Sequence, residues 1–199
     1  MATTSSPYGL RPFRLDGGSP LGLLQELTLT ANSATAFFEG ELVSVNAGVI
    51  TPIGASPTTT RNANTPWGVF VGVNYFNAQG QLVNANTFPA GGFTSFTAFG
   101  PITMLISNNP ELFFRVQADG PVALTAIGKN AAIKNFTGNA TFGTSAVQLE
   151  AASVNTTNTL GFRIVGIVPG PGNLAGDAFT DVVITYNQNV HALRNILGV

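Results

Sequence analysis

The stretch WGVFVGVNYF (67–76) constrains the fold more than any other part of this chain. Its apolar residues recur with period two, the repeat of a strand whose faces meet different surroundings. Trp67, Val69, Val71, Val73 and Tyr75 fall on one side and read as a core face. Gly68, Phe70, Gly72, Asn74 and Phe76 fall on the other, where the glycines leave room for a neighbouring backbone or large side chain. NAQGQ (77–81) follows, a hairpin loop with glycine placed for positive φ. The same alternation marks strands at 23–30, 40–45, 48–53, 102–106, 112–118, 146–150, 160–168 and 179–187, with Gly, Pro, Asn and Asp between them. Helical periodicity is scarce: 128–136 has room for one short turn, and 189–197 reads either as a short terminal helix or as a last irregular strand. SPTTTRNANTP (56–66) reads as an exposed loop and PGPGNLAG (169–176) as a connection between strands. The pattern predicts an all-β protein, a β-sandwich or jelly-roll-like domain over 21–199, preceded by an extended N-terminal arm at 1–20.

Charge narrows the class. Asp, Glu, Lys and Arg make up 9% of the chain, against roughly a quarter in an ordinary soluble domain. The net charge of −1 and the lack of basic runs argue against nucleic acid as a partner. No apolar run approaches the roughly 20 residues of a membrane-spanning helix, so no membrane partner is expected. The N-terminus carries no apolar core of a secretory signal. Without cysteine there is neither a disulfide framework nor a thiolate metal site. A protein so poor in charge covers its surface with Asn, Thr, Ser, Gln and Gly, or buries that surface against another protein.

Between Arg61 and Glu111 no charged residue or histidine occurs, yet Phe70, Phe76, Phe88, Phe93, Phe96 and Phe99 all lie there. Two readings stand. Either these are central strands with uncharged loops, or one face of the region packs on another subunit. The arm poses a similar choice. Pro7, Pro12 and Pro20 favour extended backbone, and Tyr8, Leu10, Phe13 and Leu15 alternate with Arg11, Arg14 and Asp16. Tyr8, Leu10 and Phe13 would fill pockets on a neighbouring subunit while Arg11 and Arg14 pair with its carboxylates. The alternative is an arm folded back on its own domain.

No catalytic constellation emerges, and the chain is expected to be neither an enzyme nor a cofactor-binding protein. His191 is the single histidine and reads as a surface or interface residue. Glu39 and Glu41 would share a strand face, and Asp177 and Asp181 stand four apart, but neither pair belongs to a calcium-loop pattern. Asp177 reads as a turn cap and Asp181 as solvent-facing. The glycine-rich 169–176 lacks the Gly-Lys-Ser/Thr ending of a phosphate loop.

PYGLRPFRLDGGSP (7–20), FRVQADG (114–120), IGKNAA (127–132), TLGFRIVGIV (159–168) and GDAFTDVVITYN (176–187) resemble a family of small structural proteins of tailed DNA bacteriophages, the capsid decoration or cement proteins. The resemblance implies a β-rich homotrimer on the outer surface of the virion capsid. There it would clamp adjacent subunits of the major capsid protein, with the arm as a staple and the aromatic stretch as trimer contact. The competing reading is a tail or head-fibre β domain that binds host-surface glycans.

Overall fold

The computed structural model describes residues 4–15, 24–29, 35–46, 48–54, 65–77, 79–90, 101–187 and 190–194. Strands dominate: β1 (Arg11–Leu15), β2 (Leu24–Leu29), β3 (Phe37–Phe38), β4 (Leu42–Asn46), β5 (Val49–Pro52), β6 (Gly68–Phe76), β7 (Leu82–Ala85), β8 (Thr87–Phe88), β9 (Ile102–Ser107) and β10 (Leu112–Gln117). The second half adds β11 (Asn130–Ala131), β12 (Ile133–Lys134), β13 (Gly138–Asn139), β14 (Thr144–Ser145), β15 (Gln148–Leu149), β16 (Phe162–Ile167) and β17 (Asp181–Tyr186). Single 3-10 turns lie at 124–126 and 151–153, and another follows β17 at 192–194. The protein is all-β, with a sandwich-like arrangement of antiparallel sheets.

Two sheets carry the architecture. One has five strands in the order β1-β10-β17-β16-β11. The other runs β2-β9-β6-β4-β5, with β7 also paired to β6. The inward residues of the first sheet alternate as strand geometry requires: Leu112, Phe114 and Val116 on β10, Phe162 and Ile164 on β16, Val182, Ile184 and Tyr186 on β17. They meet Leu42 and Val69 from the second sheet in one core. Phe37, Val43, Phe70, Val73, Phe88, Met104 and Ile106 form a second core on the opposite face of that sheet. β4 and the start of β6 are therefore buried on both sides: Leu42 and Val69 point into one core, Val43 and Phe70 into the other.

The alternation in 67–76 holds only up to a bulge. The β6–β9 register slips between Phe70 and Gly72, so Val71 is the extra residue. The slip brings Phe70 and Val73 into the same core, although strict alternation puts them on opposite faces. The glycines do admit close neighbours: a Cβ on Gly68 would stand 2.6 Å from Ile106 Cγ2 and from the Ser107 carbonyl oxygen. The 77–81 hairpin loop forms as the sequence predicts. Gly80 has φ 74°, and Asn77 Oδ1 accepts from the Gln79 and Gln81 amides at 3.0 and 2.9 Å.

Several expectations change. Phe70 and Phe88 are fully buried inside the chain's own second core, tilted or edge-on to Phe37 at 5.6 and 6.1 Å, and cannot serve as a contact between subunits. Phe76 is half-buried at the end of β6; Phe93, Phe96 and Phe99 lie outside the described residues. The 128–136 segment holds no helical turn but the short strands β11 and β12, which pair with β16 and β15. The terminal helix reduces, in the described residues, to one 3-10 turn at Ala192–Arg194. Most of the 56–66 loop lies outside the described residues.

The arm is the largest correction. Residues 11–15 form β1, hydrogen-bonded to β10 as the edge strand of the five-stranded sheet. Leu10 is fully buried in the first core and is not available to a neighbour. The segment enters the body by a backbone crossing. Gly9 and Gly40 have φ of 75° and 85°, and the Leu10 amide donates to the Gly40 carbonyl at 2.8 Å. A Cβ on Gly40 would stand 2.9 Å from the Leu10 nitrogen; one on Gly9 would stand 2.9 Å from the Gly40 oxygen. Residues 16–20 lie outside the described residues.

Substitution at this crossing separates strain from contact. Gly48 has the same left-handed backbone, φ 79°, but open space around its Cβ direction. Gly48→Ala is expected to cost about 1–2 kcal/mol. Gly40→Ala, which adds a backbone clash, should cost clearly more in urea unfolding, and equal losses would show the crossing to be loose. Leu10→Ala is expected to cost about 2–5 kcal/mol, as for a core leucine. A loss below about 0.5 kcal/mol would return the segment to the status of a loose arm.

Candidate docking surface at the N-terminal strand

β1 places its polar residues on the outer face of the five-stranded sheet. Its pairing with β10 sets Arg11 opposite Arg115, Pro12 opposite Phe114 and Arg14 opposite Phe113, with a register slip that makes Phe13 a bulge. On β10 the outward residues are Phe113 and Arg115, between the buried Leu112, Phe114 and Val116. The bulge gathers the four outer side chains into a ladder. The Arg115 guanidinium carbon stands 3.9 Å from the Phe13 ring centroid, and that of Arg14 stands 5.7 Å from the same centroid and 5.2 Å from that of Phe113. A cation over an aromatic face is attracted by the ring quadrupole.

Beside the ladder opens a cavity of about 490 Å³, lined by Tyr8, Arg11, Pro12, Phe13, Arg115 and Asp181, with Val168 at its side. Tyr8 hydrogen-bonds Asp181. Burial, reinforced by that carboxylate, pushes the Tyr8 phenol up, so it stays a donor. Burial also pushes the Asp181 carboxyl up, against the Tyr8 hydrogen bond and the nearby Arg115 charge. Asp181 is thus half-buried, and the solvent-facing position expected for it is corrected. Its Oδ1 and the Arg115 Nε are shielded from solvent and make no hydrogen bond among the described residues.

The structure brings together Tyr8, Arg11, Phe13 and Arg14 from the sequence-predicted set and withdraws Leu10 into the core. It also changes what Arg11 does. Its guanidinium pairs with Glu39 through Nη1, and its Nε donates to the Tyr8 carbonyl at 3.2 Å. Arg11 is spent inside the chain. Phe113, Arg115 and Asp181 are the members that sequence reasoning missed. The alternation in LFFRVQ held a signal for the first two: once Leu112, Phe114 and Val116 face inward, Phe113 and Arg115 must face outward.

The residues weighed for catalysis do not converge. Glu39 and Glu41 are separated by the left-handed Gly40, so the two carboxylates do not share a strand face. Glu39 takes Arg11, whereas Glu41 is buried and accepts from the Phe38 amide at 3.1 Å. Burial raises the Glu41 carboxyl to about 7, with the Phe38 amide pulling the other way. Asp177 accepts from the Leu174 amide at 2.8 Å, a turn contact. His191 is not a surface residue but fully buried, edge-on to Tyr186 at 4.7 Å. Its Nδ1 accepts from the Leu193 amide at 3.2 Å, which leaves the proton on Nε2. Burial lowers its pKa to about 4, opposed by the Trp67 backbone. No group of three or more His, Asp or Glu among the described residues could hold a metal ion.

No protein-family model, no curated protein and no solved structure matches this chain.

Two buried titratable groups, His191 and Glu41, oppose one another. His191 is held neutral, so its contribution to stability is complete above about 6.5 and is lost as pH falls towards 4. Glu41 is held protonated, so its contribution is complete below 4.5 and is lost as pH rises through about 7. Over the shared interval one group binds the proton that the other refuses, and their pH slopes cancel. Removing either partner should expose the other. His191→Asn is expected to lose on the order of 3 kcal/mol of stability as pH rises through the Glu41 window; Glu41→Gln should lose a similar amount as pH falls through the His191 window. Urea midpoints across pH, with both variants running parallel to the wild type, would show that neither group is perturbed.

Proposed function

We propose that this protein is a structural virion component, a capsid decoration or cement protein that sits on the outer surface of a tailed-phage head as a homotrimer and bridges subunits of the major capsid protein. The observation that carries the reading is the placement of the N-terminal motif. PYGLRPFRL, the segment in which the family resemblance begins, is built into the sheet edge with Phe13 and Arg14 on the outer face. A surface made by an edge strand and its neighbour is suited to holding another protein.

The chemistry of the rest agrees. A charge-poor body with two apolar cores offers shape and stiffness. The carboxylates and histidine considered for catalysis are spent on turns, ion pairs and burial. Three copies on a symmetric shell would multiply modest contacts, because each bound copy raises the effective concentration of the next. The glycan-binding reading finds less support, since Trp67 packs against the second core and its indole N–H donates to Gln25 at 2.7 Å.

The deciding experiment uses the full chain with expanded phage heads that lack their decoration protein. Co-sedimentation that saturates at a ratio matching the shell symmetry, together with trimer mass in sedimentation equilibrium, is the expected result. A chain that stays in the supernatant at all ratios would overturn the proposal, and binding on a glycan array would then favour the host-recognition alternative.

A further inference from the structure

We infer that the Phe13–Arg14–Phe113–Arg115 ladder is a carboxylate-recognition surface: it grips Asp or Glu side chains of a partner protein through Arg14 and Arg115, and Arg11 takes no direct part. The inference goes beyond the capsid reading, because it concerns the chemistry of the bound segment whichever protein carries it.

The argument starts from a mismatch in the charge pairing. Among the described residues the ion pairs are Arg11–Glu39, Lys134–Asp119 and Arg194–Glu111. Arg163 donates instead to the side-chain oxygens of Asn130 and Asn187. Arg14 and Arg115 belong to none of these. In a chain where so few residues are charged, two arginines side by side on one sheet face without a carboxylate are costly for folding. Their self-repulsion is offset by the rings they lie against and, for Arg115, in part by the nearby Asp181. Asp181 does not neutralise them. It sits near enough to Arg115 for each to feel the other's charge, yet its hydrogen bond goes to Tyr8 and no ion pair forms.

The geometry gives the surface its selectivity. A guanidinium lying on a ring has its face covered but leaves its in-plane N–H groups free to fork around a carboxylate. Phe13 serves both arginines, so both guanidiniums are held against one ring and less side-chain entropy remains to be lost on binding. The Arg115 Nε is shielded from water, so a partner carboxylate meets Arg115 at its terminal Nη groups. The overall net charge of −1 and the nearby Asp181 disfavour a polyanion such as nucleic acid. An isolated carboxylate or a closely spaced pair is the fitting occupant.

The test is an NMR titration of the 15N-labelled full chain, read at the arginine Nε–H resonances. The probes are acetyl-Gly-Glu-Gly-Glu-Gly-amide, the same peptide with glutamine for glutamate, and inorganic phosphate. The glutamate peptide should shift the Arg14 and Arg115 signals and saturate at about 1 mM, with binding weakened by added salt. The glutamine peptide should bind roughly ten-fold more weakly. Arg14→Gln with Arg115→Gln should cut affinity for the glutamate peptide roughly ten-fold, whereas Lys129→Gln, at the far edge of the same sheet, should not change it. Equal binding of the two peptides, tighter binding of phosphate, or no shift at about 10 mM peptide would each overturn the inference. These wild-type comparisons decide the matter even if the double variant fails to fold. Co-sedimentation separates the two proposals. Heads that capture the double variant as well as the wild type remove the ladder and keep the decoration reading; peptide binding without head binding does the reverse.

Discussion

The backbone crossing of Gly9 over Gly40 is the constraint on which the rest of the structure depends. Gly40 receives the Leu10 amide on its carbonyl and donates its own amide to Phe70 at 2.9 Å. Phe70 in turn donates to the Glu41 carbonyl at 2.8 Å. Three segments distant in sequence are thereby fixed within a few ångströms of one glycine. Leu10 and Leu42 lead from that point into one core, Phe37 and Phe70 into the other. The crossing sets how β1 arrives at the edge of its sheet, and so where the outward arginines and phenylalanines stand. A side chain at either glycine would push the N-terminal segment off the body and take the ladder with it.

The strands were readable because strand periodicity is a short-range signal. Nearly every alternating run in the sequence corresponds to a strand, and the hairpin after β6 lies where Asn77 and Gly80 put it. Two features were not readable from the same pattern. The bulge at Val71 shifts the phase of β6 midway, and nothing in GVFVGV marks which residue will be extra. The burial of both faces of β4 and β6 is a tertiary fact: alternation separates two faces but does not say that both will be covered.

The docking surface was half legible. Arg14 and Phe13 could be singled out in the arm, whereas alternation puts Arg115 on an outward face without placing it beside them, because it lies about a hundred residues further along and becomes their neighbour only through β1–β10 pairing. Leu10 and Arg11 look like members of the same exposed arm in one dimension. Alternation of side chains along the extended backbone separates them, sending Leu10 inward and Arg11 outward, where the Glu39 carboxylate claims it. The aromatic stretch misled for a related reason. A region without charges is equally consistent with a protein interior and with an interface, and for Phe70 and Phe88 the interior won.

The order of the strands has a consequence for how the chain is made. Among the described residues β1 pairs with β10 alone, and β10 finds its second neighbour in β17, near the end of the described chain. During synthesis, at roughly 5–20 residues per second, the N-terminal strand therefore waits several seconds for its partner and longer for a complete sheet. Throughout that wait Phe13 lacks the Arg115 guanidinium it packs against, and Leu10 lacks most of the core that buries it. The prolines at 7 and 12 are well placed for this interval: one precedes the strand and the other lies within it, where a missing amide makes the waiting segment a poor template for pairing with another nascent chain.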